Sequence, residues 1–148
     1  MNKKNTALDV ARFIVNHENN AKRYITNLRL QKLLYFCQAA VIIATNGEDV
    51  CFSDDIEAWD YGPVVREVYG HYKGYSFRNL PSEKTIESVN HENIIKKTLN
   101  SAKDFSTKKL VDISHSQDPW FNAYNAVQGS VISKESMIHY FVKEKSNG

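Results

Sequence analysis

The sequence predicts a mainly α-helical single domain, with six or seven helices around a central apolar helix at about 27–45 and a small β element near 56–61. Three observations predict it. Apolar residues recur at spacings of three and four through most of the chain. Residues that cap helices stand at the head of these runs. Leu33–Ala44 is apolar nearly all the way round, with Gln38 as its one interruption. A helix of that kind has no face for solvent and belongs at the centre.

The elements follow in order. Ala7, Val10, Ala11, Ile14 and Val15 mark one face of a first helix over Thr6–His17, and polar His17–Lys22 reads as a loop. A second helix starts at Thr26 or Asn27, both good caps, and runs to Thr45, where Asn46-Gly47 closes it. Ile56, Ala58 and Trp59 fit a short strand leading into Gly62-Pro63. Pro63 suits the first turn of a third helix. Val64, Val65, Val68, Tyr69 and Tyr72 form its stripe, and Gly74 ends it. Tyr75–Ser88 reads as a loop, with a short strand at Thr85–Val89. Asn90 caps a fourth helix carrying Ile94, Ile95, Leu99 and Ala102. Ser106 or Thr107 caps a fifth, which ends near His115. Asp118-Pro119-Trp120 opens a sixth, with Asp118 as cap. Gly129–Ile132 supplies a second short strand. Ser133 caps the last helix, with Ile132 and Met137 as a staple. Lys143–Gly148 is expected to fray.

Composition narrows the function. The chain has 148 residues, 42% hydrophobic and 24% charged, with eight Tyr, seven Phe and two Trp. That excludes disorder along its whole length. Two cysteines cannot staple a fold. Cys37 reads as a small buried hydrophobe and Cys51 as an exposed thiol with nothing basic beside it. Met1–Thr6 is polar and no apolar core follows, so no secretory signal is expected. The apolar stretch Leu33–Ala44 is too short to span a bilayer. A cytoplasmic protein without a membrane partner is the expectation. The net charge of +2 argues against nucleic acid as a partner. The local bias is acidic, with five acidic and two basic residues in 51–75.

Motif chemistry is sparse. No glycine-rich phosphate loop and no HExxH or CxxC spacing occurs, so neither a cofactor nor a metal is expected. Asp54, Asp55, Glu57 and Asp60 are either a cation site or solvated turn residues, and alternation along a strand would split them between faces. His115, three residues before Asp118, is either half of an acid–base pair or a helix-end histidine facing backbone carbonyls. The first option would make the chain a small hydrolase-type enzyme using His115 with a nearby carboxylate.

Three stretches carry a resemblance. They are Thr26–Phe36 (TNLRLQKLLYF), Ile56–Tyr69 (IEAWDYGPVVREVY) and Ser114-His115 with Pro119-Trp120. Following Asp9–Ile14, they resemble the Panacea domain of SocA-like antitoxins and phage-associated proteins, from Leu8 to Phe141. The matching positions are Gln31, Lys32, Tyr35, Glu57, Trp59, Gly62, Pro63, His115 and Trp120. The resemblance implies a bacterial antitoxin that binds a cognate protein toxin and has no catalytic residues. The SocA type further implies an adaptor delivering its toxin to a AAA+ protease. No helix-turn-helix is appended, which speaks against a DNA-binding autoregulatory role.

Aromatic residues and Arg dominate protein interfaces. Tyr69–Arg78 holds four aromatic residues among two glycines. Tyr69, Tyr72, Tyr75, Phe77 and Arg78 are therefore candidates for the partner surface, with Tyr69 and Tyr72 equally readable as core. Trp59 and Tyr61 either frame a groove or complete the turn that Gly62 permits and Pro63 ends. Lys32 stands on the apolar helix and needs a partner, for which Glu57 is a candidate.

Overall fold

The computed structural model describes residues 5–84 and 88–143. It is mainly helical, with seven α-helices and a three-stranded antiparallel sheet among the described residues. The first helix, α1 (Ala7–Asn20), begins with a capping box in which Thr6 and Asp9 satisfy each other's backbone N–H groups. It runs past His17 to Asn20, longer than expected. Its polar last turn has tertiary partners: Glu18 is buried against Arg23 at 2.8 and 2.9 Å, and Asn19 donates to Leu80 O and Ser82. The turn falls at Lys22, with φ +59°.

The second helix, α2 (Asn27–Ala44), is capped by Thr26 and touches α1 and each of α3, α4, α5 and α7 defined below. Leu30, Leu33, Leu34, Tyr35, Cys37, Val41 and Ile42 are buried from all sides, as an apolar helix without a solvent face requires. Asn46 and Gly47 close it at φ +55° and +82°.

Strand β1 (Ile56–Trp59) is the middle strand, between β2 (Gly62–Val64) and β3 (Val131–Ile132). Trp59 pairs with Gly62, Ala58 with Pro63 and Glu57 with Val64; on the other side Ile56 pairs with Ile132. Pro63 thus lies in an edge strand, where a missing N–H is tolerated, and not in the first turn of a helix. The third helix, α3 (Arg66–Tyr72), starts three residues later. It passes into a 3₁₀ turn at Lys73–Tyr75, so Gly74 does not end the coil.

Of the strand expected at Thr85–Val89, residues 85–87 lie outside the described residues, and Ser88 and Val89 carry no strand. Helix α4 (Glu92–Ala102) starts from His91 at φ +62° and not from Asn90, whose N–H is taken by Asn5. Helix α5 (Thr107–His115) has Ser106 as its cap. Helix α6 (Asp118–Ala126) has Gln117 in the cap position, one residue earlier than expected, with Pro119 second. Helix α7 (Lys134–Ile138) is capped by Ser133 and widens into a π-helical turn at His139–Lys143. Lys143 therefore continues the helix; the rest of the expected frayed tail, 144–148, lies outside the described residues. Ile132 and Met137 are both buried. Cys51 is buried, not exposed, and burial pushes its thiol up to about 12. Among the described residues, no helix is long and apolar enough to cross a membrane.

Candidate functional site

The buried polar side chains of α2, Tyr35 apart, reach backbone. Gln31 accepts from Val65 N–H at 2.9 Å and donates to Asn27 at 2.9 Å, while Asn27 donates to Tyr69 O. Gln38 accepts from Cys51 and Phe52 N–H and donates to Phe52 O. Lys32 donates to Pro63 O at 2.8 Å and is fully buried. Tyr35 donates to Gln117 at 2.7 Å. A nearly apolar helix thereby holds the start of α3, the loop at 51–52, the hairpin and the start of α6. Buried polar groups are tolerated because each is hydrogen-bonded.

Lys32 does not pair with Glu57. Its ammonium sits under Gly62, and burial lowers its pKa to about 7. Gly62 has φ +107°, and a Cβ there would lie 3.0 Å from Ser114 Oγ and 3.1 Å from Lys32 Cε and Nζ. The position requires glycine twice over, for its conformation and for its closeness to neighbours. Glu57 points to the other face of the sheet. It accepts from Arg66 at 2.9 and 3.1 Å and from Trp59 Nε1 at 2.9 Å. Partial burial would raise its pKa, but the hydrogen bonds from Arg66 and Trp59 hold it below the usual carboxylate range.

Two aromatic groups flank the β1–β2 hairpin. On one side Trp59 meets Tyr69 edge-on at 5.0 Å, with the Arg66 guanidinium over its ring. On the other, His115, Trp120 and Tyr124 form a stack with centroids 4.0 and 4.6 Å apart. Trp120 Nε1 donates to Trp59 O at 2.9 Å, and Tyr124 donates to Asp60 at 2.6 Å. At the hairpin tip between them, Tyr61 is 70% exposed. Sequence reading missed Tyr124, although it stands one helical turn beyond Trp120 and shares its face.

Among the described residues, His115 makes no hydrogen bond to Asp118 or any other carboxylate; its ring bonds instead to the backbone of Asp60. Its Nε2 is buried without a hydrogen-bond partner, and burial lowers its pKa. The acidic residues around β1 also have separate partners: Asp54 accepts from Ala7 N–H, Asp55 faces Lys134 and Asp60 holds Tyr124. Among the described residues, no group of three His, Cys, Asp or Glu side chains is placed to hold a metal.

The candidate partner residues fall into two places. Trp59 and Tyr69 are half-buried beside exposed Tyr61. Tyr72 is fully buried and donates to Glu83, so it belongs to the core and not to a surface. Tyr75 is half-buried beneath Arg78, and Phe77 is 94% exposed at the far end of α3.

This geometry defines a helical domain that presents a firmly held aromatic hairpin. The family model described as antitoxin SocA-like, Panacea domain, matches residues 30–121, and the chain belongs to this family. The matched span runs from α2 into α6 and contains the nine matching positions named above, while Asp9–Ile14 and Thr26–Arg29 lie outside it. Comparisons with curated proteins and with solved structures gave no match. The family supports an antitoxin-type role.

Proposed function

We propose that the protein is an antitoxin that neutralises a cognate protein toxin by direct binding, through the face around the β1–β2 hairpin. The family match carries the reading. The exposed ring of Tyr61, with Trp59 and Tyr69 beside it, supports the choice of face, because aromatic anchors surrounded by polar groups supply most interface energy. Arg66, Glu57 and Asp60 provide the polar surround. The hairpin is fixed from beneath by Lys32 and from the side by Trp120, so little ordering cost remains at binding. Within this reading, delivery to a AAA+ protease is a second stage of the same recognition.

The test is co-expression of the neighbouring reading frame with and without this chain. The neighbour is expected to arrest growth alone and to be harmless together with the protein. Tyr61→Ala should weaken binding to the toxin by about 2 kcal/mol, in the range of an interface hot spot. Toxin levels separate the two stages: unchanged levels mean blocking, and protease-dependent loss means delivery. A neighbour that is harmless alone, or full rescue by a Tyr61→Ala, Trp59→Ala variant, overturns the proposal.

A further inference from the structure

The charge of this fold is segregated, and topology explains how. Helices α1, α3 and α4 all end beside the N-terminus of α2. Leu80 N–H donates to Ile25 O at 2.9 Å, Asn27 to Tyr69 O at 3.2 Å, and Arg29 to the carbonyls of Ala102 and Phe105 at 2.9 and 2.8 Å. The three segments 20–29, 73–80 and 102–109 are thereby gathered at one end of the molecule. They hold eight of the 19 Lys and Arg residues and one of the 17 Asp and Glu residues. The rest of the chain is acidic, and the net charge of +2 conceals this separation.

Part of the charge is committed. Arg29 serves the two carbonyls, Arg23 pairs with Glu18 and Lys108 with Asp112. Lys22, Lys73, Lys103 and Lys109 are exposed and make no ion pair among the described residues. Arg78 is exposed while bonded to Gly74 O and Tyr75 O. Cations at helix C-termini complement the helix dipoles. That explains Lys22, Lys73 and Lys103, which follow the ends of α1, α3 and α4, but not Lys109 in the first turn of α5, nor the rings among them. Tyr24 is 57% exposed, Phe77 94% and Phe105 45%, each within two residues of an exposed cation. Ser76, at φ +52°, and the Arg78 N–H to Tyr75 O bond make the turn that holds Phe77 at its apex.

Protein interfaces are depleted of Lys. Exposed rings interleaved with Lys and Arg are instead the pattern that tracks a phosphate backbone and stacks unpaired bases. The end consists mainly of turns and helix termini. We propose that it is a binding surface for single-stranded nucleic acid. Tyr24, Phe77 and Phe105 stack on bases, and Lys22, Lys73, Arg78, Lys103 and Lys109 neutralise phosphates. The residues of this surface are not those assigned to the hairpin face, and the proposal does not rest on the antitoxin reading.

Fluorescence anisotropy of the full chain with a labelled 20-nucleotide oligouridylate tests it, with a duplex of equal length and polyglutamate as competitors. Binding is expected at 50 mM salt, with a log K against log salt slope of about −3.5, from about 0.7 per neutralised phosphate. Tyr24→Ala with Phe77→Ala should weaken binding at least tenfold and leave the slope unchanged. Lys22→Glu with Lys73→Glu and Lys103→Glu should remove most of both. All these residues lie on the surface, and Phe77→Ala alone serves if a multiple variant melts early. Three results overturn the proposal: no binding at 50 mM salt, full affinity in the ring variants, or competition by duplex or polyglutamate equal to that by the single strand. The last would assign the surface to a generic or protein polyanion.

Discussion

Replacing Lys32 with Met removes a buried amine whose pKa burial has lowered to about 7. The folded protein releases this proton near pH 7, and the unfolded chain near the ordinary lysine value of about 10.4. Between these values the unfolded chain binds more protons, so the group makes stability rise with pH. Below about pH 7 both states are protonated and the contribution is flat at its lowest. Across the whole interval the effect is about 4–5 kcal/mol, and between pH 7.5 and 9 it is about 2 kcal/mol. Cys37 and Cys51, whose thiols burial raises, act in the opposite sense above pH 8. They cancel when variant and wild type are compared. The assay is urea unfolding of both proteins from pH 6 to 9. The wild type should gain about 2 kcal/mol relative to Lys32→Met between pH 7.5 and 9. Met should also be the more stable residue at pH 6, since an apolar side chain carries no desolvation cost there. Parallel pH profiles would refute the reasoning and mean that Lys32 stays charged in the fold.

Three further outcomes are expected. Gly62→Ala forces an L residue to φ +107° and presses a Cβ on Ser114 and Lys32, costing about 1–3 kcal/mol in urea unfolding. A loss under 0.5 kcal/mol would mean the turn relaxes freely. Gln38→Leu strips the backbone at 51–52 of its buried partners and should cost about 2 kcal/mol or more. Unchanged stability would mean water replaces the amide. His115→Phe keeps the stack on Trp120 and removes the unpartnered Nε2 but loses the ring's hydrogen bond to the Asp60 backbone, so urea unfolding should show a loss of about 1 kcal/mol, with the neutralisation proposed above intact. Lost neutralisation in a stably folded variant would give the imidazole a direct role.

The fold was legible where one physical rule decided the outcome. Leu33–Ala44 could only be central, and Ser133 caps as its side chain allows; Thr26 and Ser106 were each one of two candidate caps, and Thr6 marked only a helix start. Pro63 went astray because φ near −65° suits both a helix start and an edge strand. The choice was made by pairing with Ala58 and by Lys32 reaching the Pro63 carbonyl, a contact 31 residues away in the chain. The end of α1 was hidden for a similar reason: Glu18 and Asn19 look solvated until Arg23 and the loop at 80–82 are in place. At the site, alternation on β1 was applied only to the acidic residues, although it also puts Glu57 and Trp59 on one face. It said nothing of Arg66, which reaches Glu57 only once β2 has turned the chain back.

The clamps of α2 have an evolutionary consequence. Gln31, Lys32 and Gln38 grip main-chain atoms, which nearly every amino acid supplies alike. Substitution at Tyr61, or elsewhere on the exposed rim of the hairpin, leaves those grips untouched. On the proposed function, recognition can therefore drift while the scaffold stays constant, so that one frame can be refitted to successive adversaries by changing a few surface side chains.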